Sequence, residues 1–465
     1  MFFDFDEEKN EGDEKNSVDP FDELKKHFGD IFSSSGSKLG FVFPSSHSSD
    51  HATDTEDANE NEAIKFTERI KKFSMKPREI RNFLDRFVIK QAEAKKVLSV
   101  AICDHYNRVR RCLLSGAAEA ADYSKQNVLL LGPTGVGKTY LIRNIARLIG
   151  VPFVKVDATK FSETGYVGND VDEMIRDLVK AANGNIKLAQ YGIVFIDEID
   201  KIAAVSDQGS RDVSGRGVQI NLLKIMEESD VSAYSQTDMI SQLRVAMSFT
   251  NGKKDQKQSI STKYILFIAS GAFDKLSDIV KVRIGAKSIG FNFKASKDEQ
   301  DETYEFLQKA STADFIKYGF EPEFISRLPV RVACEALNAE DLKNILTSSE
   351  GSIMKQYIDD FHGYGMKFSA DDDALSAIAK SAADEKTGAR GLLTVLEKLL
   401  RDFKFELPST NVKSIKITKD VVSDPAKSLS EIIKKASADS VKRTHEKKSQ
   451  GAQNDENGSR ALEVI

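Results

Sequence analysis

Residues 132–139 read Gly-Pro-Thr-Gly-Val-Gly-Lys-Thr, a string of the form G-x-x-x-x-G-K-[ST]. Chance alone produces such a string in roughly a few per cent of chains this long, so its flanks decide what it means. Before it, Asn127-Val-Leu-Leu-Leu131 is a short apolar run, the pattern of a buried parallel strand. After it, Leu141, Ile142, Ile145, Ala146 and Leu148 recur at helical spacing. Strand, glycine loop and helix in that order form a phosphate cradle, with backbone N–H groups surrounding the phosphates at the positive end of the helix. Pro133, Thr134, Gly135, Val136 and Gly137 supply the loop, Lys138 reaches the β- and γ-phosphates, and the Thr139 hydroxyl ligates Mg²⁺.

Further on, Ile193-Val-Phe-Ile-Asp197-Glu198 is an apolar strand ending in two carboxylates. Asp197 closes the strand, so its carboxylate can be held rigidly to orient Mg²⁺ or its waters. Glu198, one position on, points elsewhere and can polarise an attacking water. Phosphoryl transfer asks for those two roles and little other protein chemistry. The chain therefore reads first as a nucleoside triphosphatase.

Apolar strand-like runs at 127–131, Phe153–Val156, Ile193–Ile196 and Tyr264–Ala269 are separated by helical stretches, which predicts an α/β fold with a parallel sheet between helices. At 465 residues the chain exceeds one ordinary core. Four segments are expected. Residues 1–72 form an acidic leader, with sixteen Asp or Glu against five Lys or Arg in the first sixty, and are expected to be disordered. Residues 73–332 form the nucleotide domain. Residues 333–424 form a small, mainly helical domain with a β-like run at Val412–Ile417. Residues 425–465 are a polar tail that begins as an amphipathic helix. Within the nucleotide domain, the polar stretch between Asp230 and Thr262 reads as a long excursion.

The net charge of −5 gives no reason to expect a nucleic-acid partner. No apolar run approaches membrane-spanning length. Cys103, Cys112 and Cys334 are widely spaced and form no C-x-x-C pair, so neither a disulfide framework nor a zinc site is expected. Reduced thiols and the absence of a secretory signal point to a cytoplasmic protein.

Four more strings identify a family. Asp157-Ala-Thr-Lys-Phe-Ser-Glu-Thr-Gly-Tyr-Val-Gly168, Gly192-Ile-Val-Phe-Ile-Asp-Glu-Ile-Asp-Lys-Ile202, Glu323-Phe-Ile-Ser-Arg-Leu-Pro329 and Lys386-Thr-Gly-Ala-Arg-Gly-Leu392 closely resemble ClpX, the AAA+ protein unfoldase, as does Phe87-Val-Ile-Lys-Gln91. The resemblance runs from about 75 to 410. Ile265–Phe273 looks equally like the sister unfoldase HslU, whose large extra domain does not fit the interval available here. The resemblance implies an AAA+ domain followed by a helical lid, assembled as a homo-hexamer with ATP and Mg²⁺ between subunits. Val88 and Ile89 would line the adenine pocket. Ser270 would sense the γ-phosphate, Arg327 would reach into the neighbour's site, and Arg390 would sense nucleotide from the small domain. Always-charged, planar guanidinium groups suit both arginine tasks. Tyr166 and Val167 would form the pore loop that grips unfolded or tagged protein substrates. Ile289-Gly290-Phe291 matches the tripeptide by which ClpX docks on the ClpP-type peptidase.

Two departures limit the carry-over. The family's cysteine-ligated zinc domain is replaced by the acidic leader, and its basic pore-entrance loop has no counterpart in 230–262. Three other readings stay open at this point: a stand-alone protein-complex remodeller without a peptidase, a nucleic-acid motor, and a nucleotide-locked scaffold.

Overall fold

The computed structural model describes residues 64–115, 125–161, 170–203, 213–233, 259–287, 299–347 and 350–438, all within one unit, Asp57–Ile465. Its centre is a five-stranded, all-parallel sheet of β1 (Val128–Leu131), β2 (Phe153–Asp157), β3 (Ile193–Asp197), β6 (Leu266–Gly271) and β7 (Val330–Ala333), in the order β2-β3-β6-β1-β7. The three inner strands β1, β3 and β6 are buried on both faces, which is why their sequences are near-continuous apolar runs. β2 and β7 are only partly buried. The β7 strand, Val-Arg-Val-Ala, carries an arginine and no clean period, and the sequence reading did not find it.

Helices cover the sheet. Pro77–Phe87 (α1) starts with a proline in its first turn and a capping box from Glu79 back to Lys76. Ala92–Ser115 (α2) follows after a break at 88–91. Lys138–Ile149 (α3) continues the glycine loop, and Glu173–Ala181 (α4) lies against β2 and β3. A single turn at Ile186–Ala189 precedes β3, and Val213–Met226 (α5), Leu276–Lys287 (α6), Glu299–Gln308 (α7), Thr312–Tyr318 (α8) and Pro322–Ser326 (α9) follow it. Phe273, Phe315, Phe320 and Phe324 stack edge and face within its core.

The excursion after Asp230 is pinned at its base. Asp230–Ser232 (β4) pairs antiparallel with Ser259–Ser261 (β5), and residues 234–258 lie outside the described ones. Helical structure also begins earlier than expected: residues 64–71 are helical, with Phe66 and Ile70 buried, inside the stretch read as leader.

The C-terminal part is Ala339–Thr347 (α10), Ile353–Gly363 (α11), Lys367–Ala370 (β8), Asp372–Asp384 (α12), Ala389–Glu406 (α13), Ser414–Ile417 (β9) and Lys419–Ser423 (α14). Helix α12 packs on α10, α13 and α14 around Leu342, Ile378, Leu400 and Phe403. The expected β-run is β9, and it pairs in parallel with β8, which sequence reading missed. Residues 425–438 are helical. Among the described residues no helix is long and apolar enough to cross a membrane.

Candidate nucleotide site

The sheet register brings three chain segments to one edge. Leu131 lies opposite Gly271, Ile196 opposite Ala269, and Asp157 opposite Asp197. The glycine loop, the acidic pair and Ser270 therefore meet at the carboxyl ends of parallel strands, where open α/β sheets bind ligands.

The loop leaves β1 through Gly132, at φ 129°, where a Cβ would lie 2.6 Å from the Cys334 carbonyl oxygen. Helix α3 then starts at Lys138 with Gly137 as its N-cap and no capping side chain, so the first-turn N–H groups stay available for an anion. Lys138 is buried, and its ammonium donates to the carbonyl oxygens of Gly132 and Pro133. Burial pulls its pKa below the ordinary lysine value, with Cys334, Asp197 and Asp200 opposing that shift. Burial also pushes the Cys334 thiol up to about 11, so this cysteine packs beneath the loop as an inert side chain.

A cavity of about 550 Å³ lies over the loop. Val88, Ile89, Thr134, Gly135, Val136, Gly137, Lys138, Thr139, Asp197, Glu198 and Arg390 all line it. Pro133 lines an adjoining cavity of about 420 Å³ that shares Thr134 and Val136 with the first. The apolar wall of the larger cavity is well braced. The Val88 carbonyl accepts a hydrogen bond from buried Lys95, and the Gln91 amide clasps the backbone of Glu335 in both directions, at 2.7 and 2.9 Å. Glu350 is tied to Arg86 by its side chain and its backbone N–H. Tyr140 and Ile353 complete that side.

Asp197 ends β3 with its carboxylate fully engaged. Oδ1 accepts from Ser270 Oγ at 2.6 Å and from the Glu198 backbone N–H at 3.2 Å, and Oδ2 pairs with Lys155 Nζ at 2.7 Å. Burial alone would raise the Asp197 pKa, but the Lys155 and Ser270 hydrogen bonds outweigh it and hold the group below the usual carboxylate value. Glu198 is exposed to the cavity at φ 57°, ψ 34°, and begins the short turn Ile199–Ile202. That turn carries Asp200 back under the sheet edge. Its Oδ2 is 3.5 Å from the Phe273 N–H, and its Oδ1 abuts Gly271, where a Cβ would come within 2.4 Å.

The small part closes over the loop directly. Ala389 N–H donates to the Gly135 carbonyl oxygen at 2.9 Å, at the start of the helix that carries Arg390. Arg390 is near enough to Lys138 to lower its pKa further. Arg327 is elsewhere. It sits at the end of α9, half exposed, and pairs with Glu227. The structure thus does not bring Arg327 to this protomer's own cavity. Tyr166 and Val167, like Ile289, Gly290 and Phe291, lie outside the described residues.

The donor set suits a hydrated magnesium ion beside a polyphosphate. Thr139 and Asp197 share the cavity, and Asp200 Oδ1, also on its wall, is buried without a hydrogen-bond partner among the described residues. Sequence reasoning missed Lys155, Gln91, Tyr140 and Asp200. Asp200 stood within the quoted Asp-Glu-Ile-Asp string, whereas Lys155 sits on a neighbouring strand and carries no local signature.

A parallel sheet whose inner strand β1 feeds a glycine loop, an acidic pair at the end of β3 and a helical part hydrogen-bonded to that loop define an AAA+ P-loop nucleoside triphosphatase. Residues 123–331 match the AAA domain (Cdc48 subfamily) family, and residues 337–414 match the C-terminal, D2-small domain, of ClpB protein. The chain is 43% identical over 338 residues to the ATP-dependent Clp protease ATP-binding subunit ClpX of Treponema denticola, covering 72% of this chain and 77% of that protein. It is 41% identical over 353 residues to the ClpX subunits of Borrelia duttonii and Borrelia recurrentis, covering 74% of this chain and 78% of each relative. The chain belongs to the ClpX family.

Proposed function

We propose that this chain is the ATP-binding, protein-unfolding subunit of a Clp-type protease: an ATPase that is not itself a protease. The observation that carries the reading is the convergence of the glycine loop, Asp197, Glu198 and Arg390 on one cavity in a chain so similar to ClpX subunits. Those relatives are named as protease subunits, which leaves the stand-alone remodeller the less favoured reading.

The division of labour follows from the geometry. Backbone N–H groups of the loop and first turn of α3 hold the phosphates, with Lys138 adding a positive charge. Thr139 and Asp197 would hold Mg²⁺, which when bound neutralises charge on the phosphates. Glu198 accepts a proton from the attacking water, and Ser270 keeps Asp197 oriented as it reads the γ-phosphate. Val88 and Ile89 receive the adenine. Arg390 brings the small part's charge to the nucleotide.

Arg327 does not line this cavity and pairs with Glu227. That placement supports a hexameric ring in which it completes a neighbour's site. Tyr166 and Val167 would then grip substrate in the central pore, and Ile289-Gly290-Phe291 would dock the peptidase. The family-model matches at 123–331 and 337–414 support the division into large (73–332) and small (333–424) domains. A cytoplasmic site of action belongs to the same proposal, and three free cysteines are compatible with it. Reconstitution with a ClpP-type peptidase and a degron-tagged fluorescent protein tests this function. Loss of fluorescence and peptide release should require ATP, and ATP-independent or absent degradation with intact ATPase would reject it.

A further inference from the structure

Asp197 reaches the cavity with both carboxylate oxygens already engaged: Oδ1 by Ser270 and the Glu198 N–H, Oδ2 by Lys155 at 2.7 Å. Lys155 lies on β2, opposite Phe195 in the parallel register, so its long side chain runs diagonally to the end of β3. Its neighbours Val154 and Val156 pack against the core, which puts Lys155 on the other face of the strand. β2 is the edge strand of the sheet, where an exposed lysine is ordinary, so what sets Lys155 apart is the partner it reaches. That partner is a carboxylate whose side chain is only 16% exposed, against 36% for Lys155. A charge-assisted bond in that setting fixes the carboxylate's orientation more firmly than an open surface pair would. Lys138 is not available for this task, because its ammonium donates to the loop carbonyl oxygens of Gly132 and Pro133.

We propose that Lys155 is a positioning residue of the nucleotide site that presents Asp197 to the metal and competes with the metal for Oδ2, so that it sets the Mg²⁺ concentration at which the site fills. The inference rests on the reading of Asp197 as the metal carboxylate. Its electrostatic signs are fixed. A cation arriving at Oδ2, directly or through its water, meets an ammonium already bonded there and sits beside a like charge, so removing Lys155 eases metal entry. The same removal takes a positive charge away from the polyphosphate, so metal-free nucleotide binding does not improve. The displaced ammonium has the exposure needed to swing toward solvent or phosphate.

The test is equilibrium binding of a fluorescent ATP analogue to the full-length chain across a Mg²⁺ series, with no turnover required. Lys155→Met should lower the Mg²⁺ midpoint by about threefold or more, since an adjacent unit charge is removed. Lys155→Arg should stay near the parent value, and Asp197→Asn should raise the midpoint. Lys155→Gln replaces the methionine variant if melting curves show that variant misfolded. An unchanged midpoint in Lys155→Met, with Asp197→Asn still shifted, would reduce Lys155 to a surface ion pair. A raised midpoint would make it a simple brace and overturn the competition. No shift in either variant would remove Asp197 from the metal site, and the proposal would fall with that assignment.

Discussion

Glu198 pays for its position in backbone strain. A non-glycine residue at φ 57° costs on the order of 1 kcal/mol, yet this turn is what swings the carboxylate off the strand axis and into the cavity. Glu198→Gln keeps the shape and removes the proposed base. It should bind the fluorescent ATP analogue normally and hydrolyse ATP about a hundredfold more slowly or worse. Lys138→Ala should instead weaken binding itself, and near-normal turnover in Glu198→Gln would remove Glu198 from its role. Lys138, Thr139, Asp197 and Glu198 were legible because their chemistry lies in contiguous strings. Lys155 was not, because its partner stands across a strand pair and only the register joins them. Arg327 was readable as a residue but not as an ion pair with Glu227, since nothing in either local string points to the other.

At the scale of elements, legibility followed burial. Strands β1, β3 and β6 are covered on both faces and announce themselves, whereas β7 and β8 are short, half-polar and silent. The contact between the small part and the loop was equally silent, because it is backbone to backbone. Gly388 sits at φ 61°, and a Cβ there would lie 2.7 Å from the Gly135 carbonyl oxygen. Gly388→Ala should therefore push the start of α13 off the loop, displacing Arg390 with it. ATP affinity and hydrolysis should both fall severalfold, as read by analogue binding and phosphate release, while Gly363→Ala, in open space at the end of α11, should leave them unchanged. Helix α2 carries a second test. His105 is buried, with its ring nitrogen 3.1 Å from the Tyr264 carbonyl oxygen. Burial first, and then Lys125, pull its pKa down to about 3. The unfolded chain takes up this proton near pH 6.5 and the folded chain does not, so stability is full above 6.5 and drains as pH falls toward 3. By pH 5 the loss from this group is about 2 kcal/mol. His105→Gln should show a smaller drop in melting temperature between pH 7.5 and pH 5 than the parent, and an equal drop would assign the acid sensitivity elsewhere.

The whole molecule is more than one chain if Arg327 works in a neighbour's site. Subunits carrying Arg327→Ala and subunits carrying Lys138→Ala should each be nearly inactive, and mixing them should restore part of the hydrolysis, because some interfaces then hold two intact halves. Full activity in a dilute monomer would contradict this. Peptidase coupling is tested by Phe291→Ala. If Phe291 anchors in a partner's pocket, losing its ring costs on the order of 2 kcal/mol per contact, and a ring of contacts multiplies the loss. Degradation should vanish while melting temperature and ATPase rate hold. A joint fall in melting temperature and ATPase would mean that Phe291 serves internal packing instead. The short β4–β5 ladder has a consequence of its own. It joins the two ends of the 230–262 excursion in a ladder separate from the five-stranded sheet, so a change in the length of the chain between them is absorbed at that junction and need not shift the strand ends that carry the nucleotide site.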